Sequence, residues 1–197
     1  MTGRRVYFIS HPNVVVSKDV PVTQWPLSAT GIARMRGALA QPWVSTLSAL
    51  YTSGETKAID AVRILSAHCG LPWAEVPALG EIDRSATGFL PPPEFERVAD
   101  AFFAQPEASV RGWERAVAAQ RRIVDAVGAI VRAHAGAGAI GIVSHGAVGT
   151  LLYCALTGTR IDRRWDQPHP GGGCYLEFPM ATPDACAWWR PIDEIAE

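Results

Sequence analysis

Short apolar runs alternating with longer stretches of helical period constrain this chain more than any other feature. The runs RVYFIS (5–10), SALYTS (48–53) and AIGIVS (139–144) have the length of single strands. Between the first two lies LSATGIARMRGALA, where Ser28 is placed to cap a helix. ETKAIDAVRILSAHCG follows the second, with Ala58, Ile59, Val62 and Leu65 on one face and Gly70 as its stop. A weaker strand is read in WAEVPAL, and a long helix between Gly112 and His134 spaces Trp113, Val117, Ile123, Val124, Val127 and Ile130 at helical intervals. CYLEF and AWWRPI read as two last strands, antiparallel and at an edge. Strands alternating with helices predict an α/β fold: a mostly parallel central sheet with helices on both faces. Residues 85–111, rich in proline and glycine around one short amphipathic helix, read as a helical insertion that covers one edge of the sheet and roofs the ligand pocket.

The chain's 197 residues fit one domain, 1–197, with enough apolar sequence for a sizeable core. A hydrophobic content of 48% and a net charge of -1 argue against a disordered chain and against a nucleic-acid-binding surface. The opening MTGRRVYFIS carries too short an apolar run for a signal peptide or a membrane span, so a cytoplasmic protein without membrane contact is expected. Cys69, Cys154, Cys174 and Cys186 show no C-x-x-C spacing and are expected as buried thiols in a reducing compartment. The seven tryptophans lack basic partners in sequence, which assigns them to the core or to a subunit interface; a homo-oligomer is compatible with that reading.

In open α/β sheets ligands gather beyond the carboxyl ends of the strands. Ser10-His11, Thr52-Ser53 and Ser144-His145 all stand at such ends. If those strands are neighbours, His11, His145 and the helix start carrying Lys57 share one crevice. Free N–H groups at the helix starts after Ser53 and His145 favour an anion there, and Lys57 adds a full positive charge. The pattern describes a phosphate pocket.

These residues resemble the histidine phosphatase superfamily, also called phosphoglycerate mutase-like, in the branch with its catalytic histidine near the N-terminus. Members open with Arg-His-Gly after the first strand, where this chain has Ser10-His11-Pro12. Their Ser-Pro-x-x-Arg-Ala is matched by Ser53-Gly54-Glu55-Thr56-Lys57-Ala58, their Leu-x-Glu by Leu79-Gly80-Glu81, and their late Ser-His-Gly by Ser144-His145-Gly146. The resemblance implies a phosphomonoesterase acting on a small phosphorylated metabolite, with small phosphate esters or inorganic phosphate as ligands and no metal or cofactor. In that scheme His11 attacks phosphorus, Glu81 protonates the leaving oxygen, and Lys57 and His145 stabilise the transferring charge. Asp83 and Glu75 are alternative acids by position.

Departures from the motif qualify that expectation. Ser10 stands where the family has a phosphate-binding arginine, Lys57 replaces a second one, and Pro12 removes an N–H. Losing one preorganised donor slows comparable sites roughly a hundred- to a thousandfold. A slow or specialised enzyme is therefore expected, with a catalytically weakened anion-binding or interaction module as the alternative. The phosphate-binding set is read as Lys57 and Ser10 at the motif positions, with Arg84 and His169, the latter before three glycines, as the candidates to compensate. A mutase would need further groups that the sequence does not identify, and a metal-dependent hydrolase lacks any recognisable ligand spacing. His68 and His134 sit near helix ends and receive no catalytic role.

Overall fold

Val6 and Phe8 enter one hydrophobic core while Tyr7 and Ile9 enter another, so strand β1 (Arg5–Ser10) is covered on both sides. The computed structural model describes residues 4–195. Five further strands join β1 in one sheet: β2 (Leu47–Thr52), β3 (Trp73–Glu75), β4 (Ala139–Ser144), β5 (Cys174–Pro179) and β6 (Ala187–Pro191). Their spatial order is β3-β2-β4-β1-β5-β6. The first four run parallel, and β5 and β6 extend the sheet antiparallel. The expected mostly parallel α/β architecture is present, with β6 as the antiparallel edge strand.

Helices α1 (Ala29–Gly37) and α2 (Thr56–Cys69) cover one face. Ser28 caps α1 by accepting the Gly31 N–H at 3.1 Å. Helix α2 buries Ala58, Ala61, Val62 and Leu65 and ends at Gly70, whose φ of 66° is the left-handed conformation glycine adopts without strain. Helices α3 (Pro92–Ala104), α4 (Ala116–Ala133) and α5 (Gly146–Leu156) belong to the core on the other face. There α4 buries Ala116, Ala119, Ile123, Ala126, Val127 and Ile130, while Val117 and Val124 are only half-buried. Trp113 precedes the helix and is wholly buried.

Helix α3 of the insertion packs Val98, Phe102 and Phe103 into the core around Trp113, and it lines the cavity that holds His11 through Phe95, Glu96 and Ala99. Arg163, after α5, pairs with Glu96 and Asp100 and fixes α3 from outside. The amphipathic pattern showed which face of α3 is apolar; which part of the sheet layer receives that face is a tertiary choice.

Cys154 and Cys174 are buried and Cys69 and Cys186 half-buried; all four are free thiols. Among the described residues no helix is long and apolar enough to cross a membrane.

Candidate active site

Strand order brings the two motif histidines together. Because β4 inserts between β1 and β2, Ser10 registers with Ser144, and the His11 N–H continues the ladder to the Ser144 carbonyl at 3.0 Å. The next residues, His11 and His145, face one another with ring centroids 5.2 Å apart and planes inclined at 70°. On the other side of β4 the Ser53 N–H reaches the Val143 carbonyl, which sets the start of α2 beside His145.

The protonation pattern of both rings follows from their partners. His11 Nδ1 lies 2.9 Å from the Pro12 carbonyl, which can only accept, so Nδ1 carries the proton and Nε2 keeps its lone pair. Burial, reinforced by the Lys57 charge, pushes the His11 pKa down to about 4. His145 is wholly buried, its Nε2 2.8 Å from Ser53 Oγ and 3.3 Å from Glu55 Oε1. Since a carboxylate only accepts, Nε2 holds the proton there, and Nδ1 is buried without a partner among the described residues. Burial holds this imidazole well below its ordinary range against the opposing pull of Glu55.

Lys57 is 3% exposed and donates to the Val22 carbonyl at 2.8 Å and to Glu55. The Glu55 carboxylate also accepts the Glu81 N–H at 2.9 Å. Although burial works against its charge, His145 and Lys57 more than compensate, and the Glu55 pKa falls to about 2. Glu55 therefore stands ionised at the centre of the site, joined to α2, β4 and the Glu81 loop.

Glu81 sits across the cavity at the N-terminus of α5. Its carboxylate accepts N–H groups of Ile82, Ala147 and Val148 at 3.0, 3.3 and 3.2 Å. The anion attracted to that helix start is thus a side chain of the protein itself. Burial and the neighbouring Glu55 charge raise the Glu81 pKa, partly offset by these N–H groups. The loop holding it is clamped by Arg122, whose guanidinium donates to the carbonyls of Ala78, Gly80 and Glu81 and pairs with Glu114. Asp83 is exposed, and hydrogen bonds from Ser85 lower its pKa; Glu75 lies exposed on edge strand β3.

A family model described as the histidine phosphatase superfamily (branch 1) matches residues 6–179. The chain belongs to this superfamily. No curated protein sequence matches the chain. Among solved structures, it is similar to the mycobacterial glucosyl-3-phosphoglycerate phosphatase Rv2419c, with a TM-score of 0.75 and 17% identity over 95% of this chain and 96% of that one. That phosphatase is also described in complex with inorganic phosphate and with VO3. YhfR of Bacillus stearothermophilus gives 0.72 and 25% identity over 88% and 90%. The product of open reading frame Rv3214 of Mycobacterium tuberculosis gives 0.69 and 16% over 88% and 90%.

As a histidine phosphatase-like site, the cleft divides into two chambers that meet at His11 and Glu81. One, of about 440 Å³, is lined by His11, Glu55, Lys57, Glu81 and Arg84 with Val22 and Trp25. The other, of about 720 Å³, adds Phe95 and Trp113 from the insertion region and His169 from the late loop. Arg84 lines both, its guanidinium 5.0 Å from the centre of the Phe95 ring.

Ser10, at the position of the motif arginine, has a buried hydroxyl that donates to Gln167 Oε1 at 2.6 Å and accepts from the Cys174 N–H at 3.0 Å, a tie between β1 and β5. His169 reaches only the wider chamber, where its Nδ1 accepts the Gly171 N–H at 3.0 Å. The glycine turn beyond it approaches the His11 backbone: Gly173 N–H donates to the His11 carbonyl at 3.1 Å. Glu55, Arg122 and Gln167 were not anticipated from sequence. An acid two residues before Lys57 inside the second motif was the available signal for Glu55; Arg122 and Gln167 carried none.

Proposed function

We propose that this chain hydrolyses small phosphate monoesters through a phosphorylated His11. The observation that carries the reading is the free Nε2 lone pair of His11, opposite His145 and in one cavity with Glu81. Nε2 attacks phosphorus, the P–O bond to the leaving group breaks, and the Glu81 carboxyl gives its proton to the departing alkoxide. Water then attacks the phosphohistidine, Glu81 takes the water proton, and inorganic phosphate leaves with His11 restored. Lys57, Arg84 and His145 balance the charge on the phosphoryl oxygens. Glu81 suits the acid role better than Asp83 because its pKa is raised and that of Asp83 is lowered. The phosphatase named among the structural relatives supports the same substrate class.

The test is a panel of phosphate esters with wild type and His11→Ala, together with acid-labile phosphate labelling at position 11. Slow turnover and label, both lost in His11→Ala, are expected; neither turnover nor label in wild type overturns the reading. One observation favours a second reading, a noncatalytic anion-binding module: the main cation of the site, Lys57, is already paired with Glu55. Turnover that depends on His11 eliminates it.

A further inference from the structure

Glu55 occupies a position where a ligand oxygen would be expected. Its Oε2 receives Lys57, while its Oε1 accepts the Glu81 N–H at 2.9 Å and lies 3.3 Å from His145 Nε2. These three donors come from α2, the loop after β3 and the end of β4; Lys57 and Glu81 line the cavity, and His145 is wholly buried beside Glu55. Each is a group suited to a phosphate oxygen: an ammonium, a backbone N–H and an imidazole N–H. The carboxylate resembles phosphate in charge sign and in presenting more than one acceptor oxygen. It is 8% exposed and shares the chamber with His11, so a phosphoryl group brought to His11 Nε2 meets a fixed negative charge.

Resting on the phosphate-site reading above, we propose that Glu55 is a resident anion in the oxyanion seat: its carboxylate holds Lys57, the Glu81 N–H and His145, and a phosphate dianion must displace it to bind. Position 55 then sets phosphate affinity in this chain. The weak cationic character of the site comes less from the substitution of lysine for arginine than from the acid that neutralises the lysine. A purely structural Glu55, present only to pair a buried lysine, would predict the opposite response to its removal, because Lys57 would lose order along with its partner.

Equilibrium binding of inorganic phosphate, followed by calorimetry, separates the two. Glu55→Gln keeps the acceptor for the Glu81 N–H and removes the charge. It is expected to bind phosphate roughly tenfold or more tightly than wild type. Unchanged or weaker binding in a folded Glu55→Gln protein overturns the proposal, as does absence of phosphate binding in both proteins. Should Glu55→Gln not fold, a crystal of the wild-type protein soaked in phosphate decides: phosphate contacting Lys57 with the Glu55 side chain turned away supports it, and phosphate bound with Glu55 still on Lys57 overturns it. Binding requires no turnover, so tighter phosphate binding by Glu55→Gln together with a wild type that neither turns over nor labels sinks the hydrolase reading and leaves this one standing.

Discussion

Ser10 Oγ donates a hydrogen bond to Gln167 Oε1 at 2.6 Å, joining the end of β1 to the loop that carries His169. The same hydroxyl accepts the Cys174 N–H, so a single buried atom connects the strand that leads into His11 to β5. At this position the superfamily motif described above has an arginine.

Restoring that arginine alone is therefore expected to harm the protein. Ser10→Arg places a long charged side chain where a 1% exposed serine now sits and leaves the Cys174 N–H without its acceptor. Overpacking and an unsatisfied buried donor each cost about 1–3 kcal/mol. Urea unfolding should show a loss of about that size, and Ser10→Arg with Gln167→Ala should recover part of it. A stable, more active Ser10→Arg single variant would contradict this account.

Acid should destabilise the fold through the two histidines. The His11 pKa in the fold is about 4 against an ordinary value of 6.5, and that of His145 is also depressed. Between those values the unfolded chain takes up protons that the fold refuses, so the stability contribution present above about 6.5 is lost as pH falls towards 4. Each histidine contributes a slope of up to roughly 1.4 kcal/mol per pH unit. Denaturant titrations at pH 7 and 5 should show His11→Asn losing less stability than wild type over that interval. Equal losses would place the His11 pKa near its ordinary value. By the same reasoning labelling should not fall through protonation of His11 between neutral pH and about pH 5.

Gly172 is held at φ +71°, and a Cβ added there would lie 2.3 Å from the His11 carbonyl oxygen. Gly172→Ala is both strained and obstructed, and should lower stability by about 1–3 kcal/mol. Because the obstruction is with the backbone of His11, turnover and labelling should fall further than stability alone explains when measured well below the melting temperature. Gly70→Ala, with a similar φ but nothing within 4 Å of its Cβ, is the comparison and should spare the site.

Arg122 positions Glu81 without touching the cavity occupied by His11. Three loop carbonyls and Glu114 share its guanidinium. Arg122→Lys cannot reproduce the planar fork, and Arg122→Met removes every donor. Turnover should decline in the order wild type, Lys, Met, and the high-pH limb of the rate profile, which reports the acid, should shift with it. A fall in stability with an unmoved pH profile would make Arg122 structural only.

Much of the fold was legible locally. RVYFIS and AIGIVS are read as strands and appear as β1 and β4, because a short apolar run that ends in a polar residue suits a strand buried on both faces of a sheet. Ser28 and Gly70 mark their helix ends by chemistry that acts within one turn. That the insertion roofs the pocket was expected, and Phe95, Glu96 and Ala99 of α3 do line the cavity that holds His11; the packing of Val98, Phe102 and Phe103 around Trp113 was not legible, since an apolar stripe fits any apolar surface.

By itself the sequence determined which residue types stand at the carboxyl ends of the strands, because strand length and capping are local properties. Only the tertiary structure decided that β4 lies between β1 and β2, which sets His11 beside His145 and brings Glu55 onto Lys57 and His145. Local propensity cannot express that order. It depends on which apolar faces are buried together and on where each carboxylate finds its donors once water has been excluded.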